Sequence, residues 1–298
     1  MSMSIKQYSL IVAAVWFLAA GSVSAHQPRI AEGENIRIAN PEVSQAFYGE
    51  LTGAPVRYQI NSSEPFRLYV GLLVPDLPSI QKDISAEIFQ LNGTKENLIA
   101  FLDGKNFEWT PFYEEFAGDN YFWGPEFAAT DSKKGVELKG QTVPAGSYII
   151  QVTSSNQQGK YSLVTGDLEE FPLKEMLSAA ITVPRVKAQF FNASPFSIIT
   201  SPFGWGYILV LYVLAFLFGL GYRFVLRKFV KAEPYRRPKN IGAADRIGRA
   251  VLGLALLGWA VSTAWNPWLI FFSGFCFFEA IFSWCGLYAA LGKNSCPL

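Results

Sequence analysis

The sequence predicts a multidomain membrane protein in which an all-β exported sandwich is followed by three transmembrane α-helices. Short segments rich in β-branched and aromatic residues recur between turn signals through residues 27–170, as in β-sandwiches. Beyond them lie three apolar runs, the first of which, Phe203–Tyr222, has 20 consecutive uncharged residues. About 20 apolar residues in an α-helix cover a hydrocarbon core roughly 30 Å thick. The first run therefore predicts a membrane span.

Charge is distributed unevenly along the chain, and this distribution predicts the topology. Residues 26–200 carry 14 Lys and Arg against 21 Asp and Glu, whereas residues 222–249 carry nine basic and two acidic residues. Basic residues in short loops stay on the cytoplasmic side of a membrane. The basic loop at 227–246 is therefore expected to be cytoplasmic. A nucleic-acid partner is not expected, because this basic run borders a membrane span.

Residues 1–25 have the composition of a signal peptide, because Lys6 precedes an apolar run that ends in the small residues Ser24 and Ala25. The alternative is an uncleaved amino-terminal anchor. Cleavage after Ala25 would make the single histidine, His26, the first residue of the mature chain. Its α-amino and imidazole nitrogens would then form a chelating pair suited to copper. Copper at His26 is one hypothesis; the other is that the chain carries no cofactor.

The exported sandwich is expected over residues 26–170, followed by a juxtamembrane helix and linker over 171–202. Predicted strands include Val56–Ile60 and Phe66–Leu73. The helix is expected to end before Pro184, because proline disfavours helical backbone at the residue before it.

The best-defined part of this domain is the segment Thr142–Gly166. It predicts a β-hairpin whose first strand places Tyr148, Ile150 and Val152 on the inner face and whose second strand returns with Tyr161 and Leu163 inward. The segment resembles the closing hairpin of pre-peptidase carboxy-terminal domains. The resemblance implies a small β-sandwich of the kind that accompanies secreted proteins.

The segment Trp109–Phe127 combines many aromatic rings with carboxylates. Such a segment can form a binding surface for a carbohydrate or peptide, in which rings supply flat apolar area and carboxylates accept hydrogen bonds. The alternative is that the rings fill the sandwich core while the acids face water. The candidate ligand-binding residues are Trp109, Tyr113, Glu114, Glu115, Asp119, Tyr121, Trp123 and Glu126.

The membrane half is expected to contain a first transmembrane helix at 203–226 and a two-helix transmembrane hairpin with a cysteine-containing tail at 247–298. The hairpin helices are expected to have about 18 to 23 residues, with the last apolar segment running to Leu291. They are joined at Trp265–Trp268, a turn flanked by tryptophans of the kind found at membrane interfaces. The carboxy-terminus is then expected to be cytoplasmic.

Residues 240–298 carry a recognisable motif pattern. Asn240, Gly242, Asp245, Arg246 and Arg249 precede the glycine-rich hairpin, which is closed by Cys285-Gly286-Leu287-Tyr288 and by Cys296-Pro297. This pattern resembles the YgaP-like inner-membrane family of unknown function, although Gly286 stands where that family usually has proline. The resemblance implies a bacterial inner-membrane module, which is sometimes fused to a sulfur-handling domain that is not visible in this chain.

Three polar features of this half are candidates for a role. Asp245 and Arg249 have the spacing of an ion pair within one helix. Glu279 lies about midway through the apolar segment Trp268–Ala290, where a carboxyl group is expected to be protonated, paired or facing a polar cavity. Cys285 and Cys296 form a possible thiol pair, for redox chemistry or metal binding.

The function predicted from these observations is that of a non-catalytic, membrane-anchored accessory or scaffold protein, because no nucleophile–base pair, phosphate-binding loop or full metal-ligand set is visible. The expected partners are the lipid bilayer and a membrane or periplasmic protein bound by the exported domain. One alternative is a copper- or thiol-linked protein that uses His26 or the Cys285 and Cys296 pair. Another is a small transport component that uses Glu279. The expected location is the bacterial inner membrane, with the β-domain outside.

Overall fold

The computed structural model describes residues 26–129, 139–170, 172–230 and 232–296. The chain divides into two compact units, and the boundary along the sequence falls between Ala193 and Ser194. The first is rich in β-strands and the second is helical. The predicted signal peptide at 1–25 lies outside the described residues.

Two main sheets form the β-rich unit. One has six strands in the order β1-β3-β13-β6-β10-β9, the other has five in the order β2-β4-β12-β7-β8, and β11 pairs with β5. Apart from the parallel pairs β1 with β3 and β2 with β4, neighbouring strands of the two sheets run antiparallel. The strands are β1 Gln27–Ile30, β2 Asn35–Ile38, β3 Gln45–Thr52, β4 Val56–Ser62, β5 Phe66–Leu68, β6 Val70–Pro75, β7 Ser85–Asn92, β8 Lys95–Leu102, β9 Thr110–Glu114, β10 Asp119–Phe127, β11 Gln141–Val143, β12 Gly146–Thr153 and β13 Gln158–Thr165.

The core of this unit is built by alternating residues of both sheets, as the period of two along a strand requires. The predicted inward residues are confirmed as members of one buried cluster: Tyr148, Ile150, Val152, Tyr161 and Leu163. Buried phenols need hydrogen-bond partners. Within this cluster the hydroxyl of Tyr161 lies 2.9 Å from that of Tyr58, so each supplies the other's partner.

The segment Thr142–Gly166 does not form the expected hairpin. β12 lies in the five-stranded sheet and β13 in the six-stranded sheet, so the turn between them crosses from one sheet to the other. Such a connection lets both strands bury their apolar faces against each other across the core. The expected strand Phe66–Leu73 is also divided at Tyr69, and its two halves join different sheets.

Helix α1, Leu173–Gln189, closes the β-rich unit. The expectation that it ends before Pro184 is wrong, because the helix continues past this proline. A proline inside a helix removes a hydrogen bond and costs about 3 kcal/mol. Tertiary contacts offset this cost: Val183 and Val186 are buried and Lys187 forms an ion pair described below.

The helical unit starts with a 3-10 helix, Pro195–Thr200, and continues with α2 Pro202–Phe229, α3 Glu233–Arg236, α4 Ala243–Ser262, α5 Pro267–Phe282 and α6 Gly286–Ala290. Within the described residues, α2 alone is long and apolar enough to cross a membrane by length and composition. It carries the uncharged run predicted as the first span. Helix α4 begins with the charged residues of the motif, and α5 has 16 residues.

The last helix of the expected hairpin is shorter than predicted. α5 ends at Phe282 and does not run to Leu291, because Ser283 adopts left-handed backbone with φ 54° and Cys285 is extended. The turn before α5 also differs from expectation. Trp265 is fully buried and donates its indole N–H to the carbonyl of Pro195 at 2.8 Å, so it is a packing residue.

Candidate functional site

The aromatic segment forms the antiparallel pair β9 and β10. Two of its predicted ligand-binding rings pack instead. Trp109 is buried and donates its indole N–H to the carbonyl of Gly104 at 2.8 Å. The hydroxyl of Tyr121, also buried, lies 3.2 Å from that of Tyr48, and burial raises the pKa of both phenols. These rings stabilise the domain, as the alternative interpretation of the segment expects.

The carboxylates of the segment do not converge on one point. Glu114 accepts hydrogen bonds from the backbone N–H groups of Phe116 and Ala117 at 2.7 and 2.8 Å and so fixes the turn between the two strands. Burial raises its pKa, although these hydrogen bonds lower it. Glu126 accepts a hydrogen bond from the hydroxyl of Tyr69 at 2.9 Å. Glu115 and Tyr113 are exposed, and Trp123 is half-buried.

Asp119 forms a buried ion pair with Lys187 of helix α1, with a distance of 2.5 Å between Oδ1 and Nζ. The ammonium also donates to the carbonyl of Gly118 at 3.2 Å. Burial raises the pKa of the Asp119 carboxyl to about 6, although the neighbouring Lys187 lowers it. The pair joins α1 to the β9–β10 turn and lies away from open solvent, which makes it a structural contact.

Several exposed apolar side chains of this unit lie on two edge strands. β8 ends the five-stranded sheet and β9 ends the six-stranded sheet. Because an edge strand has one row of unpaired backbone groups, it is a common place for another chain to bind. The exposed apolar side chains, which we call the edge patch, are Leu98, Ile99 and Phe101 of β8 and Phe112 and Tyr113 of β9.

His26 lies at the start of the described chain, and its Nδ1 is hydrogen-bonded to the hydroxyl of Ser44. Burial, together with the nearby Lys139 ammonium, lowers the pKa of the imidazole to about 4. Among the residues that the structure describes, no group of three or more His, Cys, Asp or Glu side chains is arranged to hold a metal ion. Copper at His26 stays a prediction.

In the helical unit, Glu279 is buried and paired with Arg249. The expected pair of Asp245 with Arg249 is therefore replaced: Asp245 instead accepts a hydrogen bond from the hydroxyl of Ser295. Glu279 also contacts the thiol of Cys285. The sequence places Glu279 about midway through a span. Since α5 ends at Phe282, Glu279 instead lies in the last turn of its helix.

Asn240 explains why α5 ends where it does. Its amide group donates to the carbonyl of Cys285 and accepts from the N–H of Cys285, both at 2.8 Å. Its backbone N–H donates to the carbonyl of Ser283 at 3.0 Å. One buried side chain thus pairs with both backbone groups of Cys285, in the extended segment that follows α5.

Gly242 holds the tail in a similar way. A Cβ at this position would lie 2.1 Å from the carbonyl oxygen of Ser295, so a side chain does not fit. The N–H of Gly242 also donates to the hydroxyl of Ser295 at 3.0 Å. The Asn-x-Gly motif therefore anchors the polypeptide that follows α5.

All three cysteines are free thiols in the structure. Cys285 is buried beside Glu279, and Cys276 and Cys296 are half-buried. The redox or metal role of Cys285 and Cys296, and the transport role of Glu279, stay predictions.

The sequence alone does not reveal the role of Lys187, or the clamp in which the side chain of Asn240 holds the backbone of Cys285. Lys187 is one of several lysines and nothing in the local sequence singles it out, since its partner is 68 residues away. Asn240 was recognised as part of a motif, and its distance of 45 residues from Cys285 hides the contact that it makes.

Several solved structures share limited similarity with the chain. The pre-peptidase C-terminal domain of a collagenase from Bacillus anthracis, of the class that residues 142–166 resemble, has 14% identity and a TM-score of 0.27 over 45% of this chain and 98% of its own. AvmM, which catalyses macrocyclization in alchivemycin A biosynthesis, has 12% identity and a TM-score of 0.18 over 46% of this chain and 62% of its own. A β-glucosidase from Paenibacillus barengoltzii has 10% identity and a TM-score of 0.17 over 47% of this chain and 13% of its own. With TM-scores below 0.5, none of these similarities supports a conclusion about function.

No curated protein matches the chain. The carboxy-terminal region does match a family, and the match begins just before the Asn240 clamp and includes the Arg249–Glu279 pair. It supports a membrane location, together with the long apolar helix α2. The resemblance found in the sequence is confirmed: residues 237–298 match the family described as the transmembrane domain of inner membrane protein YgaP-like.

Proposed function

We propose that this protein is a non-catalytic, membrane-anchored accessory protein whose β-rich unit is exported and binds a protein partner. The observation that carries this proposal is the contrast within the β-rich unit. Three of the four candidate carboxylates form structural contacts, namely Glu114 in a turn, Asp119 with Lys187 and Glu126 with Tyr69. The exposed edge patch, by contrast, offers apolar area to a partner.

We further propose that α2, α4 and α5 all span the membrane. α4 and α5 are antiparallel neighbours joined at residues 263–266. Asn266 caps the start of α5, because its side chain accepts hydrogen bonds from the N–H groups of Trp268 and Leu269. The Arg249–Glu279 pair offsets the cost of placing two charges between apolar helices. The lipid bilayer is then the first partner, and the basic loop at 227–246 would face the cytoplasm.

Co-purification tests the proposed function. The tagged full-length protein is extracted from native membranes in mild detergent, and proteins that accompany it at stoichiometric amounts are identified by mass spectrometry. We expect a defined partner that is lost when the edge patch is made acidic by the double change Leu98→Glu and Phe101→Glu, because carboxylates in an apolar contact lose their hydration.

The matched control is Lys95→Glu, which lies exposed on the same strand and changes the charge by the same amount as the two patch substitutions together. The control is expected to keep the partner. Two results would contradict binding through the edge patch. One is that Lys95→Glu loses the partner as completely as the patch variant does. The other is that the patch variant is folded, as judged by circular dichroism, and still retains the partner.

A further inference from the structure

Two arginines lie one turn apart near the end of α2, and backbone carbonyls of the following segment fix both of them. Nη2 of Arg223 donates to the carbonyl of Pro238 at 2.7 Å, and Nη2 of Arg227 donates to that of Arg237 at 2.6 Å. Both side chains are half-buried. Their guanidinium groups are therefore tied to the backbone of the segment that follows α2.

No carboxylate of the described residues pairs with either arginine. Glu233 is paired with Arg237 at 2.9 Å and Glu279 with Arg249. The two guanidinium groups are close enough for Arg227 to act on Arg223 by charge repulsion. In each of them Nε is buried and has no hydrogen-bond partner within the described chain. Two half-buried like charges with spare donors are costly unless an anion lies between or beside them.

A third spare donor lies in a side chain packed against Arg223. Trp284 is 1% exposed, and its indole N–H has no partner among the described residues. The guanidinium carbon of Arg223 lies 5.5 Å from the centre of the Trp284 ring. The position of this ring follows from the break after α5, since Ser283 adopts left-handed backbone. A buried indole N–H usually has a hydrogen-bond partner, so the site lacks an acceptor.

We propose that Arg223, Arg227 and the indole N–H of Trp284 form a binding site for a phosphate group. A phosphate offers several acceptor oxygens, and the planar fork of donors on arginine matches their spacing. The site lies at the basic end of the apolar helix α2, the depth at which phospholipid headgroups begin. The phosphate therefore comes from an anionic phospholipid or from free phosphate, which share this chemistry. The proposal rests on the membrane location and does not depend on the edge patch.

Thermal unfolding of the full-length protein in a phosphate-free maltoside detergent tests the proposal. Delipidated protein is titrated separately with phosphatidylglycerol, with phosphatidylcholine and with inorganic phosphate. A ligand that binds the folded protein stabilises it by RT ln(1 + [L]/Kd), so Tm begins to rise as the ligand concentration passes Kd, and the Kd is obtained from this dependence. We expect such a rise in Tm with phosphatidylglycerol. The double variant Arg223→Gln and Arg227→Gln is expected to bind at least ten-fold more weakly.

The matched control is the double variant Arg236→Gln and Lys239→Gln, which removes the same charge from exposed positions of the segment that follows α2. It is expected to change the affinity less than about three-fold, as diffuse electrostatic attraction implies. Trp284→Phe keeps an aromatic ring and removes the N–H, and we expect it to weaken binding several-fold. If the glutamine variant does not fold, Arg223→Lys with Arg227→Lys keeps the charge, and we expect it to lose affinity because the fork is lost.

The ligands distinguish the sources. A rise in Tm with inorganic phosphate identifies free phosphate as sufficient, and a rise with phosphatidylglycerol alone identifies the lipid headgroup; either result supports the site. Equal weakening by the two glutamine double variants would overturn the proposal in favour of diffuse charge attraction. No rise in Tm with either phosphatidylglycerol or inorganic phosphate would overturn it as well.

Discussion

At the scale of single residues, the carboxy-terminal region depends on two positions of its first motif. The side-chain amide of Asn240 donates to the carbonyl of Cys285 and accepts from its N–H, and Gly242 lies against the carbonyl of Ser295. The sequence identified both residues through a family pattern. It did not reveal their purpose, because their contacts are with residues 45 and 53 positions away.

Gly242→Ala is expected to displace the tail and lower Tm, because its Cβ would overlap the backbone of Ser295. We expect a loss of about 1–3 kcal/mol, the usual cost of forcing a side chain into a packed site. Thermal unfolding in detergent measures it. Gly248→Ala is the control, since nothing lies within 4 Å of a Cβ there and alanine favours the helix. Equal Tm values for the two variants would contradict the packing argument.

Asp119 predicts a pH dependence of the β-rich unit. Its pKa is raised from 3.8 to about 6 in the folded protein. A raised folded pKa means that this carboxyl stabilises the fold below pH 4 and that the stabilisation is lost as pH rises to 6.

The comparison with Asp119→Asn isolates this effect. The free energy of unfolding of the unaltered protein minus that of the variant is expected to grow as the pH is lowered from 7 to 4, and unfolding monitored at several pH values measures it. A difference that shrinks on acidification would show that Lys187 holds the pKa of Asp119 below its usual range. No pattern in the sequence links these two residues, which lie on different elements.

At the scale of elements, the sequence predicts helices that are defined by their own composition. It does not predict helix ends or strand pairings that depend on contacts with distant residues. The run Phe203–Tyr222 predicts α2 because the helix is defined by its own apolar composition. The ends of α1 and α5 were misplaced for the opposite reason. Pro184 is retained inside α1 by packing and by the Lys187 ion pair, and Ser283 ends α5 because Asn240 binds the residues after it. The crossing of β12 and β13 between sheets is a similar case, since the inward residues were correct while their pairing was not.

The pair that joins α4 to α5 gives a prediction at this scale. Glu279→Gln leaves Arg249 half-buried without a counter-ion and is expected to destabilise the helical unit by about 3 kcal/mol. Thermal unfolding measures the loss. Exchanging the two residues, Arg249→Glu with Glu279→Arg, is expected to restore part of it.

The control is Glu233→Gln, which breaks an exposed pair with Arg237 and is expected to lower Tm much less, because water screens exposed ion pairs. Equal effects of Glu279→Gln and Glu233→Gln would mean that the Arg249–Glu279 pair contributes no more than a surface contact.

At the scale of the whole molecule, the chain combines an acidic β-rich unit with a basic, helical membrane unit. The candidate binding residues predicted from the aromatic segment are divided between core, turn and surface. Composition alone does not specify which face of a strand a residue occupies, because a bulge can shift the register. Such a shift occurs between Trp123 and Glu126. The family pattern at the carboxy-terminus was readable since it lies in one continuous segment.

The central claim is that the β-rich unit and the basic loop lie on opposite sides of the membrane. Single cysteines are introduced by Asn156→Cys in the β-rich unit, by Arg236→Cys in the basic loop and by Lys293→Cys in the tail, after the three native cysteines have been replaced. A membrane-impermeant maleimide is then added to sealed spheroplasts. We predict labelling of the Asn156→Cys variant before lysis and of the other two only after lysis. Labelling of the Arg236→Cys variant in intact spheroplasts, or protection of the Asn156→Cys variant, would contradict the account.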